Sequence, residues 1–263
     1  MRYMAKPIIS NILLFIESLL LFSITIIFSL KLTILNEKYV IKKLEKTNYY
    51  EYVYEETKNT MTYITKKSSI PSEVLENTFS LEDIKKDVNS FIKSFYKGEK
   101  VNINTEHLKE NLNKNLENQE IEQNKLTDYT NKMISTYKNE IRLMNSFEEN
   151  SIILNKYNKI STILLLLLIA DLTVLIIINK KIFKKAEYNV LLYTSALSLI
   201  GTNIFINILN INNLFIYNNK VSQILKTIIN SFQIKNFMFI LLYIILGLKI
   251  IEKNNKEPEE ETE

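Results

Sequence analysis

The sequence predicts an all-α integral membrane protein with four transmembrane helices and a large helical extracytoplasmic insert between helices 1 and 2. Three observations predict this. Apolar residues gather into long blocks near the two ends, although the mean hydropathy of the whole chain is only −0.03. The middle of the chain is polar, rich in Lys, Glu and Asn, and almost free of long apolar runs. Only 3 prolines and 3 glycines interrupt the 263 residues, so helix is favoured wherever a helical period can be read.

Residues 1–6 carry Arg2 and Lys6 and form a short cytoplasmic N-terminus. Residues 7–30, with Glu17 as their only charge, make transmembrane helix 1; at about 1.5 Å per residue they cross a hydrocarbon core of about 30 Å with some tilt. A basic start before an apolar run is also the pattern of a cleaved signal peptide. This run exceeds the usual h-region of about 7 to 15 residues and passes into Lys31-Leu-Thr-Ile-Leu35 without a small-residue cleavage site. A retained signal anchor is the expected outcome.

Residues 31–159 form the extracytoplasmic domain. Pro71 opens a short helix to about Phe79, because its missing N–H is not needed in a first turn. Ser80-Leu-Glu-Asp83 is a capping-box pattern, Ile84, Val88, Phe91, Ile92 and Phe95 follow at spacings of three and four, and Gly98 marks the C-terminal stop. After an extended piece at Lys100 to Ile103, Asn104 or Thr105 caps a helix carrying Leu108, Leu112 and Leu116. Ile121, Leu126, Tyr129, Met133, Ile134, Tyr137, Ile141 and Met144 continue a helical face toward the second span.

Transmembrane helix 2 covers 160–178, with the pentaleucine Leu164 to Leu168 and a single charge, Asp171. A basic cytoplasmic loop occupies 179–189. Helix 3 covers 190–211, a short outer loop 212–231, helix 4 residues 232–251, and an acidic cytoplasmic tail 252–263. Lys180, Lys181, Lys184 and Lys185 place the loop after helix 2 inside by the positive-inside rule, which puts both termini in the cytoplasm and the insert outside. The lysines of the insert do not oppose this orientation, since long loops cross largely regardless of charge.

Within the insert, Leu44-Glu-Lys-Thr-Asn-Tyr-Tyr-Glu51, Ile70-Pro-Ser-Glu-Val-Leu75, Asp87-Val-Asn-Ser-Phe-Ile-Lys-Ser-Phe-Tyr-Lys-Gly98 and Ile103-Asn-Thr-Glu106 stand in order. The chain resembles, over the first span and most of the insert, uncharacterised four-span integral membrane proteins of low-GC Gram-positive bacteria. The resemblance implies a plasma-membrane protein and supplies no functional residues.

Much named chemistry is excluded. There is no Cys for a thiolate or a zinc site, a single His, and no glycine-rich phosphate loop, so no catalytic residue, cofactor site or metal site can be written. His107 reads as an exposed first-turn residue. Basic and acidic side chains balance across the insert and only Arg142 there is an arginine, which argues against nucleic acid as a partner. Tyr49, Tyr50, Tyr52 and Tyr54 invite two readings: a surface aromatic patch for a sugar, peptide or protein, or one face of a helix turned to the core. The spacing of Tyr50, Val53, Tyr54, Thr57 and Met61 favours the core.

Glu17 and Asp171 are ionisable groups inside the membrane and therefore candidate functional residues. Their depths agree within about 5 Å on the helical rise, so they are able to meet. Ser198, Asn203 and Tyr243 are the polar candidates around them. Thr194, Ser198 and Thr202 form a small-x-x-x-small series suited to close helix approach. No Lys or Arg lies at comparable depth, so hydrogen bonding between helices is the expected way to satisfy the two acids.

Three functional classes remain. The first is a non-catalytic membrane protein whose helical outer domain binds or senses a partner at the cell surface. The second is a permease-like subunit of a membrane transport complex, whose layout is similar to that of bacterial FtsX-like permeases. The third is a proton- or cation-conducting bundle on Glu17 and Asp171, for which a homo-oligomer is expected. The lipid bilayer is common to all three; a protein partner belongs to the first two.

Overall fold

The computed structural model describes residues 2–99, 103–117, 122–141, 147–179, 188–209 and 219–256. Among them the chain is helical, with no strand. The helices are α1 (Arg2–Leu32), α2 (Glu37–Lys46), α3 (Tyr49–Lys67), α4 (Leu81–Lys97), α5 (Glu106–Leu116), α6 (Gln123–Ile141), α7 (Phe147–Asn179), α8 (Tyr188–Ile208) and α9 (Asn219–Lys256), with a 3-10 turn at Ser72–Leu75. Four of these hold segments long and apolar enough to cross a membrane: Ile9–Leu32, Ser151–Ile178, Tyr188–Ile208 and Leu225–Lys253. The chain divides into two compact units, one of Met1–Asn36 with Asn158–Glu263, the other of Glu37–Tyr157.

In the Glu37–Tyr157 unit, helix ends follow local chemistry. Ser80 Oγ accepts the Asp83 N–H while the Asp83 carboxylate accepts the Ser80 N–H at 2.8 Å, completing the capping box. Gly98 ends α4 at φ 69°, where an added Cβ would be strained and would also lie 2.9 Å from the Asn155 side chain. Glu99 N–H then donates to Ser94 O, closing a Schellman-type stop. Thr105 stands at the N-cap of α5 without a side-chain cap bond, and Asn104 just before it accepts the Glu106 N–H on Oδ1 at 2.9 Å.

The helix expected from Pro71 to Phe79 is shorter than its sequence suggests. It stops at Leu75; Glu76 is extended and Asn77 takes a positive φ of 54°. The carbonyls released by this early stop are met by α5: Asn115 Nδ2 donates to Val74 O and Glu76 O, both at 2.9 Å, and Asn111 Nδ2 to Thr78 O at 3.1 Å. Two asparagines one helical turn apart thus hold the 74–78 backbone in a loop. Around it the core gathers Leu44, Met61, Ile84, Phe91, Leu108, Leu112, Met133 and Tyr137, all 1 % exposed or less.

In the other unit α1, α8 and α9 pack together. Ala196, Leu199, Ile240 and Tyr243 form a buried cluster with Leu21, Phe22, Ile26, Leu192 and Phe239 against it. Gly247 lets α9 approach the Tyr193 ring, which an added Cβ would meet at 2.9 Å. The helix holding the second candidate span begins at Phe147, before the predicted 160, and α9 begins at Asn219, before the predicted 232. The extra turns of α9 bury Ile228 beside Phe232, which gives its polar start an apolar anchor.

Candidate functional site

The two predicted intramembrane acids occupy different surroundings. Glu17 is 0 % exposed on α1, between Leu14, which packs with Leu191 of α8, and Ser18, whose carbonyl accepts from Ser195 of α8. Asp171 is exposed on α7. No carboxyl pair forms, so the meeting that their depths allow does not occur. Depth read from sequence gives height along a helix axis and not which helices pack: Glu17 lies on a helix packed against α8, while α7 buries no described side chain beyond Ser151, so Asp171 stays exposed whatever the rotation.

Polar bonds between helices come from other residues. Ser195 Oγ donates to Ser18 O at 3.0 Å and joins α8 to α1, and the hydroxyls of Thr25 and Tyr243 are hydrogen-bonded between α1 and α9. Asn203 joins α8 to α9 as an acceptor from Asn236 Nδ2 at 3.1 Å and a donor to Gln233 O at 3.4 Å. Gln233 Nε2 adds a bond to Asn207 Oδ1 at 2.8 Å. Of the predicted group, Tyr243 and Asn203 therefore bridge helices. Ser198 does not: its hydroxyl donates to Thr194 O on its own helix, as Thr202 does to Ser198 O. The close approach expected of that series is made instead at Ala196 and Gly247.

The tyrosines of α3 divide. Tyr49 and Tyr50 are buried and belong to the core, contrary to a surface role, while Tyr52 and Tyr54 are half-buried. Tyr50 OH donates to Asn89 Oδ1 at 2.6 Å, and burial first, then the charge of Glu45, pushes its phenol up to about 12. Tyr54 turns to Phe79, ring centroids 5.5 Å apart and edge-on, and the two floor an open groove of about 770 Å³ between α3 and the 72–81 loop. Glu51, Glu55 and Glu76 line this groove against a single Lys58, whose ammonium lies 5.9 Å from the Tyr54 ring centre. Its chemistry is an aromatic floor under a net negative rim.

His107 departs from its expected exposure. It is half-buried, its ring edge-on to Tyr137 at 5.9 Å, and its buried Nε2 has no hydrogen-bond partner. Tyr137 OH donates to Asp87 Oδ2 at 2.7 Å. Burial pushes the Asp87 carboxyl up against the opposing pull of the Tyr137 bond and His107. Asp83 faces the same cost of burial, but hydrogen bonds from the Ser80 side chain and backbone hold it below the ordinary aspartate range. The Ser80 hydroxyl is given to Asp83 at 2.7 Å, so no serine and histidine pair as nucleophile and base here. Among the described residues no group of three or more His, Asp or Glu is placed to hold a metal ion.

The basic loop lysines at 180–185 and the acidic tail from Glu257 lie outside the described residues, as do Ile121 and Met144. No protein-family model, curated protein or solved structure matches the chain.

Proposed function

We propose that the chain is a non-catalytic, multi-pass plasma-membrane protein that holds its helical insert outside the cell and binds a cationic, extended partner segment in the groove lined by Tyr54 and Phe79. Membrane insertion is supported by what the long helices bury and expose. Their interior takes Glu17, Ser18, Thr25, Ser195 and Asn236, while Leu166, Leu197, Phe205 and Phe237 face outward. Lipid accepts such a surface and water does not. Orientation rests on the four lysines that follow the second span.

The groove is the observation that carries the binding half. An aromatic floor attracts a cation through its ring faces, three carboxylates repel an anionic ligand, and the open shape suits a chain segment. Nucleic acid does not fit this rim. Replacing Tyr54 in the full-length protein by a photo-activated cross-linking amino acid tests the proposal in intact cells. A discrete protein adduct that disappears when Glu51 and Glu55 are both changed to Lys is expected. Absence of an adduct, or an identical adduct from the exposed Ser90 position, contradicts it.

A further inference from the structure

Lipid satisfies every exposed side chain along the centre of α7 except one. Beyond Ser151 no described side chain of this helix is buried. Asp171 is exposed there and makes no hydrogen bond or ion pair among the described residues. It lies about 10 Å along the helix from Ile178, on the usual rise of about 1.5 Å per residue. A short aspartate side chain does not reach the headgroups from that depth as a lysine would, and hydrocarbon offers no donor or acceptor. The answering group must come from another membrane helix.

Among the described residues this chain's own helices do not supply it. Lys31, the base nearest in sequence to the first span's outer end, donates to Asn158 Oδ1 at 2.9 Å and Thr162 Oγ1 at 2.6 Å, at the far end of the α7 span. Asn203 and Tyr243 are engaged with α9 and α1. A second copy carries the same acid at the same depth. Ile160, Leu164, Leu167, Asp171, Val174 and Ile178 recur at spacings of four and three, all exposed, and make one heptad seam with the acid at its centre. Two-fold symmetry about the membrane normal brings such a seam onto itself in register and sets each Asp171 opposite its equivalent.

We propose that two copies of this chain pair along α7 within the membrane, the carboxylic acid O–H of one Asp171 donating to the Asp171 carboxyl oxygen of the other. The inference rests on the reading that the four long helices cross the bilayer. A single polar side chain in an apolar seam fixes partner number and register, because any slip leaves both acids facing hydrocarbon.

The chain has no cysteine, so single thiols test the seam in the full-length protein in its membrane. Oxidation should couple two copies through Val174→Cys and not through Ile177→Cys, which sits at similar depth off the seam. In lipid bilayers, single-molecule photobleaching should count dimers for the parent and for Asp171→Asn, whose amide both donates and accepts. Asp171→Leu should weaken pairing by about threefold to thirtyfold, the range that interhelical polar bonds span in membranes. Monomers at every protein-to-lipid ratio, or Asp171→Leu pairing as well as the parent, overturn the inference. Alkaline carbonate separates the two levels: a monomer that resists extraction sinks the pairing alone, and a protein that is extracted sinks the four-span reading with it.

Discussion

Helices α4 and α7 solve opposite problems with the same backbone. In α4 the buried residues are Ile84, Val88, Phe91, Ile92 and one acid, Asp87, and Lys86, Lys93 and Glu82 face outward. In α7 most of the leucines and isoleucines face outward, and in α1 and α8 the enclosed residues include Glu17, Thr25 and Ser195. The first pattern is that of a helix in water, where burying apolar area stabilises. The second is that of a helix in lipid, where apolar area gains nothing by burial and polar groups must find each other. On the proposed membrane reading, one chain has two sets of rules for what a substitution does.

The largest expected contrast is between Phe91→Ala and Leu166→Ala. Phe91 is 1 % exposed and its loss should cost about 3–5 kcal/mol in the insert, while Leu166, 65 % exposed on α7, should tolerate truncation with no measurable change. Denaturation of the detergent-solubilised full chain, followed by hydrogen exchange in each unit, separates the two. A lysine should invert the order: Leu166→Lys costs about 2.5–3.5 kcal/mol of membrane insertion, and Ser90→Lys, on the exposed side of α4, stays within about 0.5 kcal/mol. Glycosylation-reporter insertion assays read the first and thermal unfolding the second.

Smaller effects refine the account of the insert. Tyr137→Phe removes the donor to a carboxyl that is only 6 % exposed and should cost about 1–3 kcal/mol. Asn115→Ala frees the Glu76 carbonyl, leaves the Val74 carbonyl only its bond from the Thr78 hydroxyl, and should cost about 1–2 kcal/mol, with faster hydrogen exchange confined to residues 72–79. The pH effect is smallest. Because the folded Asp87 carboxyl is raised, its contribution to stability is full below the ordinary aspartate range and is lost as pH rises through its folded value. Asp83, lowered, contributes in the opposite sense: present above the ordinary range and lost as pH falls. Asp87→Asn should therefore remove the gain on mild acidification and leave the acid loss due to Asp83, measured by urea midpoints between pH 7 and pH 3.

Much of this was legible in the residues. The Ser80 capping box, the Gly98 stop and the α4 face follow from patterns a few residues long, because local sequence alone sets them. The four apolar helices follow from run length. Three things did not follow. The stop at Leu75 depends on Asn111 and Asn115, over thirty residues away, and an asparagine in a Lys/Asn-rich chain carries no visible mark of such a role. The half-burial of His107 depends on α6, which brings Tyr137 to the histidine across the insert. The separation of Glu17 from Asp171 depends on which apolar helices pack: α1 encloses Glu17, while α7 buries no described side chain beyond Ser151, and spans of similar composition do not encode that difference. A signal was present for the bridging role of Asn203: Gln233 and Asn236 are polar at a spacing of three in the neighbouring apolar segment.

The central claim is that the membrane separates the two solvents these rules describe, with the insert outside. Single cysteines in the otherwise cysteine-free chain test it, at Ser90 on the exposed side of α4 and at Lys253 near the end of α9. An impermeant maleimide added to intact cells should label the thiol at 90 at once and the thiol at 253 only after lysis. Labelling of 253 in intact cells with 90 protected would reverse the map, and equal labelling of both before lysis would remove the membrane from between them.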